Sequence, residues 1–171
     1  MSEICYDLYT EFPPLKFAEI NPICTDSTER NVIFLGSVKA ATNIDILRLL
    51  NIKSVLTLMG NCPFTYNQLD CISHKVVSIY DIEENDITAV FNEAFSFIEE
   101  NLKYGNILIH CQAGISRSPS VLIGYLMWNM KIGFKEAYEI VRKGRKIILP
   151  NKGFIKQLKN YENYIKSWGN Q

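Results

Sequence analysis

Short apolar runs alternate with longer amphipathic segments along most of this chain, and the two patterns predict different elements. Four runs are rich in β-branched residues and short enough to be buried strands. They cover residues 32–35, 53–58, 75–79 and 107–109. Segments with apolar positions at helical spacing lie between and after these runs, over residues 44–50, 87–102, 121–130, 134–143 and 151–165.

Residues that favour helix ends accompany these segments. Thr42 and Asp86 stand where N-caps are expected, and Gly105 follows residues 87–102 as a stop signal. Pro119 falls in the first turn of the helix that continues through residues 121–130, where its missing N–H costs no hydrogen bond. These signals support the helices that the apolar spacing predicts.

Strands interleaved with helices predict an α/β fold in a single domain. We expect a central mixed, largely parallel sheet flanked by helices, with a functional site beyond the carboxyl end of a central strand. Residues 1–30 are rich in proline and polar residues and are predicted to be an irregular lead-in. Residues 31–168 are predicted to be the folded domain.

The composition and charge of the chain limit the classes of function that it can have. The chain has 18 basic and 18 acidic residues, so we expect neither nucleic-acid binding nor membrane binding. No apolar run reaches the ~20 residues of a membrane-spanning helix, and residues 1–8 lack the apolar core of a signal peptide. Five cysteines without CxxC spacing and two histidines argue against zinc and for a reducing compartment. We expect a monomeric cytoplasmic protein that could also enter the nucleus.

The candidate chemistry lies between the strand at 107–109 and the helix at 121–130. A loop over a helix N-terminus directs backbone N–H groups and the positive end of the helix dipole at one point, which suits an anion of phosphate size. Gly114 permits the turn, and the Arg117 guanidinium can hold two phosphate oxygens. The same positive field favours the thiolate of Cys111, so this residue is predicted to be a nucleophile and not a buried structural thiol.

The string from His110 to Ser118, His-Cys-Gln-Ala-Gly-Ile-Ser-Arg-Ser, resembles the signature of the cysteine-dependent protein phosphatases, and in particular of their dual-specificity branch. Other matches extend the resemblance over roughly residues 31–166. They are Leu35-Gly36-Ser37 with Ala40 and Asn43, Tyr125-Leu126-Met127, and Pro150-Asn151 with Phe154, Gln157 and Leu158. The resemblance implies the fold of those phosphatases and a reaction that needs no metal or cofactor.

The resemblance also implies a role for each matching residue. Cys111 forms a phosphocysteine intermediate, and Ser118 helps its thiolate to leave. His110 supports the loop from beneath by hydrogen bonding, whereas His74 is expected to have no catalytic part. The phosphate is bound by the loop residues Gln112, Ala113, Gly114, Ile115, Ser116 and Arg117. Asn43 and Asn151 match positions that support the loop, and each is equally suited to be a helix cap or turn residue.

The leaving group also needs a general acid, and the candidates lie in residues 80–86. Asp86 is better explained as the N-cap, and Glu83 and Glu84 as residues of a solvated turn. Asp81 directly follows the predicted strand at 75–79 and stands where the family has its acid, about thirty residues before the cysteine. We therefore predict that Asp81 is the acid.

The leading hypothesis is a phosphatase that acts on phosphotyrosine and on phosphoserine or phosphothreonine, with a phosphorylated protein as its partner. One alternative is a phosphoinositide, RNA 5′-phosphate or phosphoglucan as substrate. The uncharged side chains of Gln112, Ala113, Ile115 and Ser116 count against a phosphoinositide, because the lipid enzymes of this superfamily carry lysines in the loop. The other alternative is a phosphoprotein-binding pseudo-enzyme, which the presence of Cys111 disfavours.

Overall fold

A computed structural model describes residues 20–23 and 31–168 of the chain. The strands are β1 (Ile20–Ile23), β2 (Ile33–Gly36), β3 (Ile52–Leu58), β4 (Ser73–Val77) and β5 (Asn106–His110). The α-helices are α1 (Val38–Ala41), α2 (Ile44–Leu49), α3 (Phe91–Asn101), α4 (Arg117–Met130), α5 (Phe134–Gly144) and α6 (Lys152–Trp168). Short 3₁₀ helices cover Gln68–Asp70 and Thr88–Val90.

The five strands form one sheet in the order β1-β2-β5-β3-β4. Strand β1 is antiparallel to β2, and all other pairs are parallel. The prediction of a mixed, largely parallel sheet in an α/β fold is therefore confirmed. Strand β5 lies at the centre and is buried from Ile107 to His110, as expected for a parallel strand covered on both faces. Its carboxyl end carries the candidate loop.

Strand β1 lies within the segment that was predicted to be irregular. Pro22 pairs with Phe34 at the edge of the sheet, which is where a strand tolerates a proline because one side needs no donor. The rest of the predicted lead-in lies outside the described residues.

Two apolar layers cover the sheet. The larger packs helices α3, α4, α5 and α6 against one face and includes Leu56, Ile109 and Phe154. The smaller packs α1 and α2 against the other face around Val55 and Leu108, with Phe64 and Tyr66 at its border. Every residue of α4 from Ser118 to Met127 is buried, which fits the apolar run there. None of the described helices is both long and apolar enough to cross a membrane.

Some predicted boundaries need correction. Thr42 does not cap the helix that follows it, because its hydroxyl donates to Val38 O at 3.0 Å and closes α1 instead. The N-cap of α2 is Asn43, whose Oδ1 accepts from Ile46 N at 3.1 Å. Asp86 is not an N-cap either, because Ile87 holds that position before the 3₁₀ helix and Val90 holds it before α3. Instead, Asp86 Oδ1 accepts from Thr88 N at 2.9 Å and fixes the turn that leads into the 3₁₀ helix. Helix α3 itself begins only at Phe91.

Candidate active site

The loop between β5 and α4 is held by its carbonyl groups. Each carbonyl from residue 111 to 116 accepts a hydrogen bond from a donor around the loop. The donors, in that order, are His110 Nδ1 (3.1 Å), Val38 N (3.1 Å), Arg145 Nη2 (3.1 Å), Arg145 Nε (2.9 Å), Leu149 N (2.7 Å) and Ser120 N (3.0 Å). In a trans peptide the C=O and N–H groups point in opposite directions. The N–H groups of residues 112–117 are therefore directed towards the centre of the loop, as an anion site requires.

Gly114 is the residue that allows this loop to pass so close to the sheet. Its φ is +67°, a conformation that side chains disfavour. A Cβ at this position would lie 2.4 Å from Gly36 O and 3.1 Å from Arg145 Nε. Both the backbone conformation and the lack of space thus explain the glycine that the sequence motif contains.

Cys111 lies at the bottom of the loop, beneath the start of α4, and is 2% exposed. Its Sγ accepts a hydrogen bond from Ser118 Oγ at 3.2 Å. Burial alone raises the pKa of this thiol. The opposing effects are stronger: hydrogen bonds from the Ser118 hydroxyl and N–H, the Arg117 charge and the Gly114 N–H bring the pKa of Cys111 below its ordinary value. The site therefore favours a thiolate.

Arg117 is the first residue of α4 and reaches across to the segment after β4. Its Nη1 donates to Ile79 O at 3.4 Å, and its Nε lies 3.9 Å from Asp81 Oδ2. This Nε is buried, and among the described residues it has no hydrogen-bond partner. A buried guanidinium N–H without a partner is costly, so the arrangement suits a site that receives an anionic oxygen.

Asp81 is brought to the loop by two hydrogen bonds to the same oxygen. Ser116 Oγ donates to Asp81 Oδ1 at 2.6 Å, and Asn151 Nδ2 donates to it at 2.9 Å. Asn151 also ties itself to Ser116, because its backbone N–H donates to Ser116 Oγ at 3.1 Å. Ser116 is the N-cap residue of α4 but makes no side-chain capping bond, since its hydroxyl is turned to Asp81. Because the Ser116 hydroxyl does not cap them, the N–H groups at the start of α4 face the site, where that of Ser118 hydrogen-bonds to Cys111 Sγ.

A family model for the catalytic domain of dual specificity phosphatases matches residues 33–164. The chain belongs to the dual specificity phosphatase family. Dual specificity protein phosphatase 1B of Arabidopsis thaliana is 39% identical over 135 residues, which are 78% of this chain and 80% of that protein. Dual specificity protein phosphatase 19 of Mus musculus is 36% identical over 131 residues, 76% of this chain and 59% of that protein.

Solved structures of the same family share the fold. The Yvh1 phosphatase domain from Chaetomium thermophilum superposes with a TM-score of 0.75 at 27% identity, over 85% of this chain and 96% of that one. The resemblance expected from the loop motif is therefore confirmed for the family and for the fold.

Within the phosphatase framework, the residues predicted for the site come together with one exception. Asn151 both donates to Asp81 and caps α6, where its Oδ1 accepts from Phe154 N at 2.9 Å. The loop of residues 111–116 between β5 and α4 is called the phosphate loop below. Asn43 serves as the cap of α2, and among the described residues no hydrogen bond joins its side chain to this loop. The support predicted for Asn43 is therefore not seen. Glu83 and Glu84 are exposed, as expected for a solvated turn.

Two residues that contact the site, Arg145 and Thr57, were not predicted from the sequence. Arg145 is 2% exposed and holds two loop carbonyls, while its Nη1 donates to Asn21 Oδ1 at 2.6 Å. It stands among Arg142, Lys143 and Lys146, and nothing in the sequence distinguishes it from these neighbours. Thr57 lies beside His110. The sequence does mark Thr57, because its hydroxyl interrupts the apolar run of β3.

Proposed function

We propose that this phosphatase hydrolyses phosphotyrosine and phosphoserine or phosphothreonine in proteins, through a phosphocysteine on Cys111. Membership of the dual specificity family supports the reaction and the substrate class. The observation on which the mechanism mainly rests is the position of Cys111 Sγ at the start of α4, with a hydrogen bond from Ser118 and a lowered pKa. A thiolate in that place is a nucleophile ready for phosphoryl transfer.

In the first step, the N–H groups of residues 112–117 and the Arg117 guanidinium bind the phosphate oxygens. Arg117 Nε then gains the hydrogen-bond partner that it lacks among the described residues. Cys111 Sγ attacks phosphorus opposite the ester oxygen, so that the S–P bond forms while the P–O bond breaks. The electron pair of the broken bond stays on the leaving oxygen, which takes a proton from Asp81. Because Asp81 Oδ1 accepts two hydrogen bonds, Oδ2 is the oxygen that carries this proton.

In the second step, water attacks the phosphocysteine and gives its proton to the Asp81 carboxylate. The new O–P bond forms as the S–P bond breaks, and the electron pair returns to sulfur. The Ser118 hydroxyl, 3.2 Å from Sγ, stabilises the thiolate that leaves. Inorganic phosphate is released, Asp81 is protonated again, and no redox partner is needed.

The surroundings of the loop support a protein substrate with a single phosphate. Gln112 and Ala113, the exposed residues of the loop, carry no charge that would match additional phosphates. The described cysteines Cys62, Cys71 and Cys111 are all free thiols, which supports a reducing compartment such as the cytoplasm. We also propose that the enzyme acts as a monomer.

The test is the pH dependence of inactivation by iodoacetate, with the labelled cysteine identified by mass spectrometry. We expect Cys111 to react first, with a midpoint below that of an ordinary thiol, because Ser118, Arg117 and the Gly114 N–H lower its pKa. Vanadate should protect it, because vanadate occupies the phosphate site. Exposed Cys71 is the internal control, because the reagent can reach it, and it should be labelled after Cys111. Preferential labelling of Cys71 or Cys62 would contradict the proposal.

The Cys111→Ser variant completes the test. Its hydroxyl stays protonated where the thiol ionises, so it should bind vanadate but not release phosphate from an aryl phosphate. Wild-type enzyme should release phosphate from both phosphotyrosine and phosphothreonine peptides. A clear preference for phosphoinositides or RNA 5′-phosphates over both peptides would replace the proposed substrate class.

A further inference from the structure

Three polar side chains form a line across the sheet beneath the phosphate loop. They are His74 on β4, Thr57 on β3 and His110 on β5. Thr57 pairs directly with His110, and it lies two residues beyond Val55, which pairs with His74. Residues two apart on a strand share a face, so the three side chains meet on the side of α1 and α2. Thr57 Oγ1 is 2.8 Å from His74 Nε2 and 2.7 Å from His110 Nε2.

The positions of the protons in this line follow from one fixed acceptor. Cys111 O, 3.1 Å from His110 Nδ1, can only accept, so Nδ1 carries the proton. In the neutral ring, His110 Nε2 is then an acceptor and must receive the single hydroxyl proton of Thr57. Thr57 has no second proton to give, so His74 Nε2 must donate to Thr57 Oγ1. The geometry thus fixes opposite tautomers for the two rings.

Neutral rings are what the surroundings favour. Burial lowers the pKa of His110 to about 4, and the charges of His74 and Arg117 act in the same direction, against the smaller opposing effect of the Cys111 carbonyl. Burial also lowers the pKa of His74. At neutral pH the two residues therefore differ in tautomer and not in charge, and the line is held by the direction of its hydrogen bonds.

Aromatic rings restrict both imidazoles. The Phe64 ring stacks on His74 with centroids 5.5 Å apart and an interplanar angle of 9°, and it lies 5.8 Å from His110. The edge of Tyr66 meets His74 at 4.9 Å, and the Tyr66 hydroxyl is fixed by Ala41 O at 2.6 Å. Thr57 and His110 have no exposed surface. If the line were broken, water could not readily replace the missing partners.

We propose that Thr57 and His74 are positioning residues for Cys111: they hold His110 in the Nδ1–H tautomer, and His110 holds the carbonyl of Cys111. With that carbonyl fixed on the outside of the loop, the N–H of Gln112 in the same peptide points to the phosphate site. The opposite tautomer of His110 would place a nitrogen lone pair against Cys111 O and release this peptide. The inference rests on the proposed function, in which Cys111 acts as a thiolate.

The first test reads the tautomers directly, by long-range ¹H–¹⁵N NMR of the imidazole rings in the wild-type protein at pH 7. The chain has two histidines, so the spectrum contains two ring systems, and His74→Phe assigns them. We expect His110 to show a protonated Nδ1 and an unprotonated Nε2, and His74 to show a protonated Nε2. A protonated Nε2 on His110, or fast averaging of its tautomers, would overturn the proposal.

The second test measures the thiol midpoint of Cys111 from iodoacetate inactivation. Thr57→Val keeps the shape of the side chain and removes the hydroxyl, so the midpoint should rise by about 0.5–1 pH unit, the size of one buried hydrogen bond. Thr57→Ser keeps the hydroxyl and should restore the wild-type value. His74→Phe should give a smaller rise, and His74→Gln, which retains a donor, should reverse it.

Ser54→Ala is the matched control. Ser54 is on the same strand, 2% exposed, and its hydroxyl donates to Asn101 Oδ1 at 3.0 Å, outside the line of three. It should lower stability without moving the thiol midpoint. If Thr57→Val moves the midpoint no more than Ser54→Ala does, the positioning role is wrong.

The results also separate this inference from the proposed function. A wild-type midpoint near pH 8.5 would refute the thiolate mechanism itself, whatever the variants show. A low wild-type midpoint that Thr57→Val leaves unchanged would refute only the role of the line. If Thr57→Val does not fold, the positioning role is tested by the wild-type tautomers and by comparing the thiol midpoints of His74→Phe and His74→Gln.

Discussion

The inner and outer sides of the phosphate loop are built from different parts of the chain. The inner side consists of consecutive residues: the thiol of Cys111, the N–H groups that follow it, and the guanidinium of Arg117. The outer side consists of carbonyls held by donors from separate elements, among them Val38 of α1, Arg145 after α5 and Leu149 before α6. In the proposed mechanism the inner side carries out the reaction, whereas the outer side holds the backbone of the loop in place.

The comparison predicts two kinds of defect. A change on the inner side should stop the reaction and leave the fold intact, because those groups serve the phosphate. A change on the outer side should cost stability and activity together, because those donors hold the backbone that presents the N–H groups. The following experiments test whether the two kinds of defect can be separated.

The largest effect is expected from Arg117→Lys. An ammonium is a point charge and cannot hold two phosphate oxygens as the guanidinium fork does. Removing a guanidinium from a phosphoryl-transfer site costs about 10³–10⁵-fold in kcat, and we expect a loss on that scale with little change in unfolding by urea. Exposed Arg142, changed to Lys, is the control and should keep full activity. Turnover within tenfold of wild type would mean that Arg117 does not hold the phosphate.

Asp81→Asn should have the next largest effect, and the size should depend on the substrate. General acid catalysis contributes about 10²–10⁴-fold, so the loss in kcat should reach that range for phosphotyrosine and alkyl phosphates. It should be smaller for an aryl phosphate with an acidic phenol, which needs little protonation to leave. Asp86→Asn is the control, because asparagine keeps the side-chain oxygen that accepts from Thr88 N. The same dependence on leaving group in Asp86→Asn but not in Asp81→Asn would show that the acid is misassigned.

Arg145→Met tests the outer side. The change removes a buried donor from Gly114 O and partly buried donors from Ala113 O and Asn21 Oδ1. A buried hydrogen bond to a charged group contributes about 1.5–3 kcal/mol, and a partly buried one about 0.5–1.5 kcal/mol. With one bond of the first kind and two of the second, we expect roughly 2.5–6 kcal/mol less unfolding free energy in urea. The loss in kcat/KM should be about 10–10²-fold, as for a misplaced site. A variant with wild-type stability and no activity would show that Arg145 serves the reaction directly, so that the two sides of the loop do not differ as described.

The same contrast explains what the sequence could reveal. The inner side occupies one stretch, so its spacing predicted Cys111, Arg117 and the helix start. The position of Asp81 beside the loop could be predicted because Asp81 follows a recognisable strand and the family places its acid there. Its role as the acid stays a prediction. The role of Arg145 could not be predicted, because it depends on the end of α5 passing behind the loop. In the sequence, a buried arginine cannot be distinguished from an exposed one. Asn43 matched the family pattern, but the local capping of α2 explains its only side-chain hydrogen bond among the described residues.

The fold followed the same rule. The apolar runs in the sequence predicted β2, β3 and β5 at the core of the sheet, because central parallel strands are apolar throughout. Edge strand β1 was missed, since it has four residues and includes Pro22. Strand β4 begins two residues earlier than expected: its first residues Ser73 and His74 are polar, and His74 is used in the line beneath the loop. Polar residues with a tertiary partner are the ones that apolar patterns overlook.

The smallest effect concerns His110, the donor on the outer side that can titrate. Its pKa is about 4 in the folded protein, because burial disfavours the charged ring, whereas an unfolded histidine has a pKa of about 6.5. Between these values the unfolded chain binds more protons than the folded one. The contribution of His110 to stability is therefore complete above about pH 6.5 and is lost as the pH falls towards 4.

At pH 5, about 1.5 units below the unfolded pKa, the expected loss is about 2 kcal/mol relative to pH 7, at about 1.4 kcal/mol per unit. The measurement is urea unfolding of wild type and His110→Gln at both pH values. Carboxylates titrate in both proteins, so their effect cancels in the difference, and the wild-type advantage should shrink by about 2 kcal/mol at pH 5. An NMR titration of the His110 ring provides the direct check. If the folded ring titrates near pH 6.5, or if the difference between the two proteins is the same at both pH values, His110 is not held neutral beneath the loop, and the outer side does not depend on its tautomer.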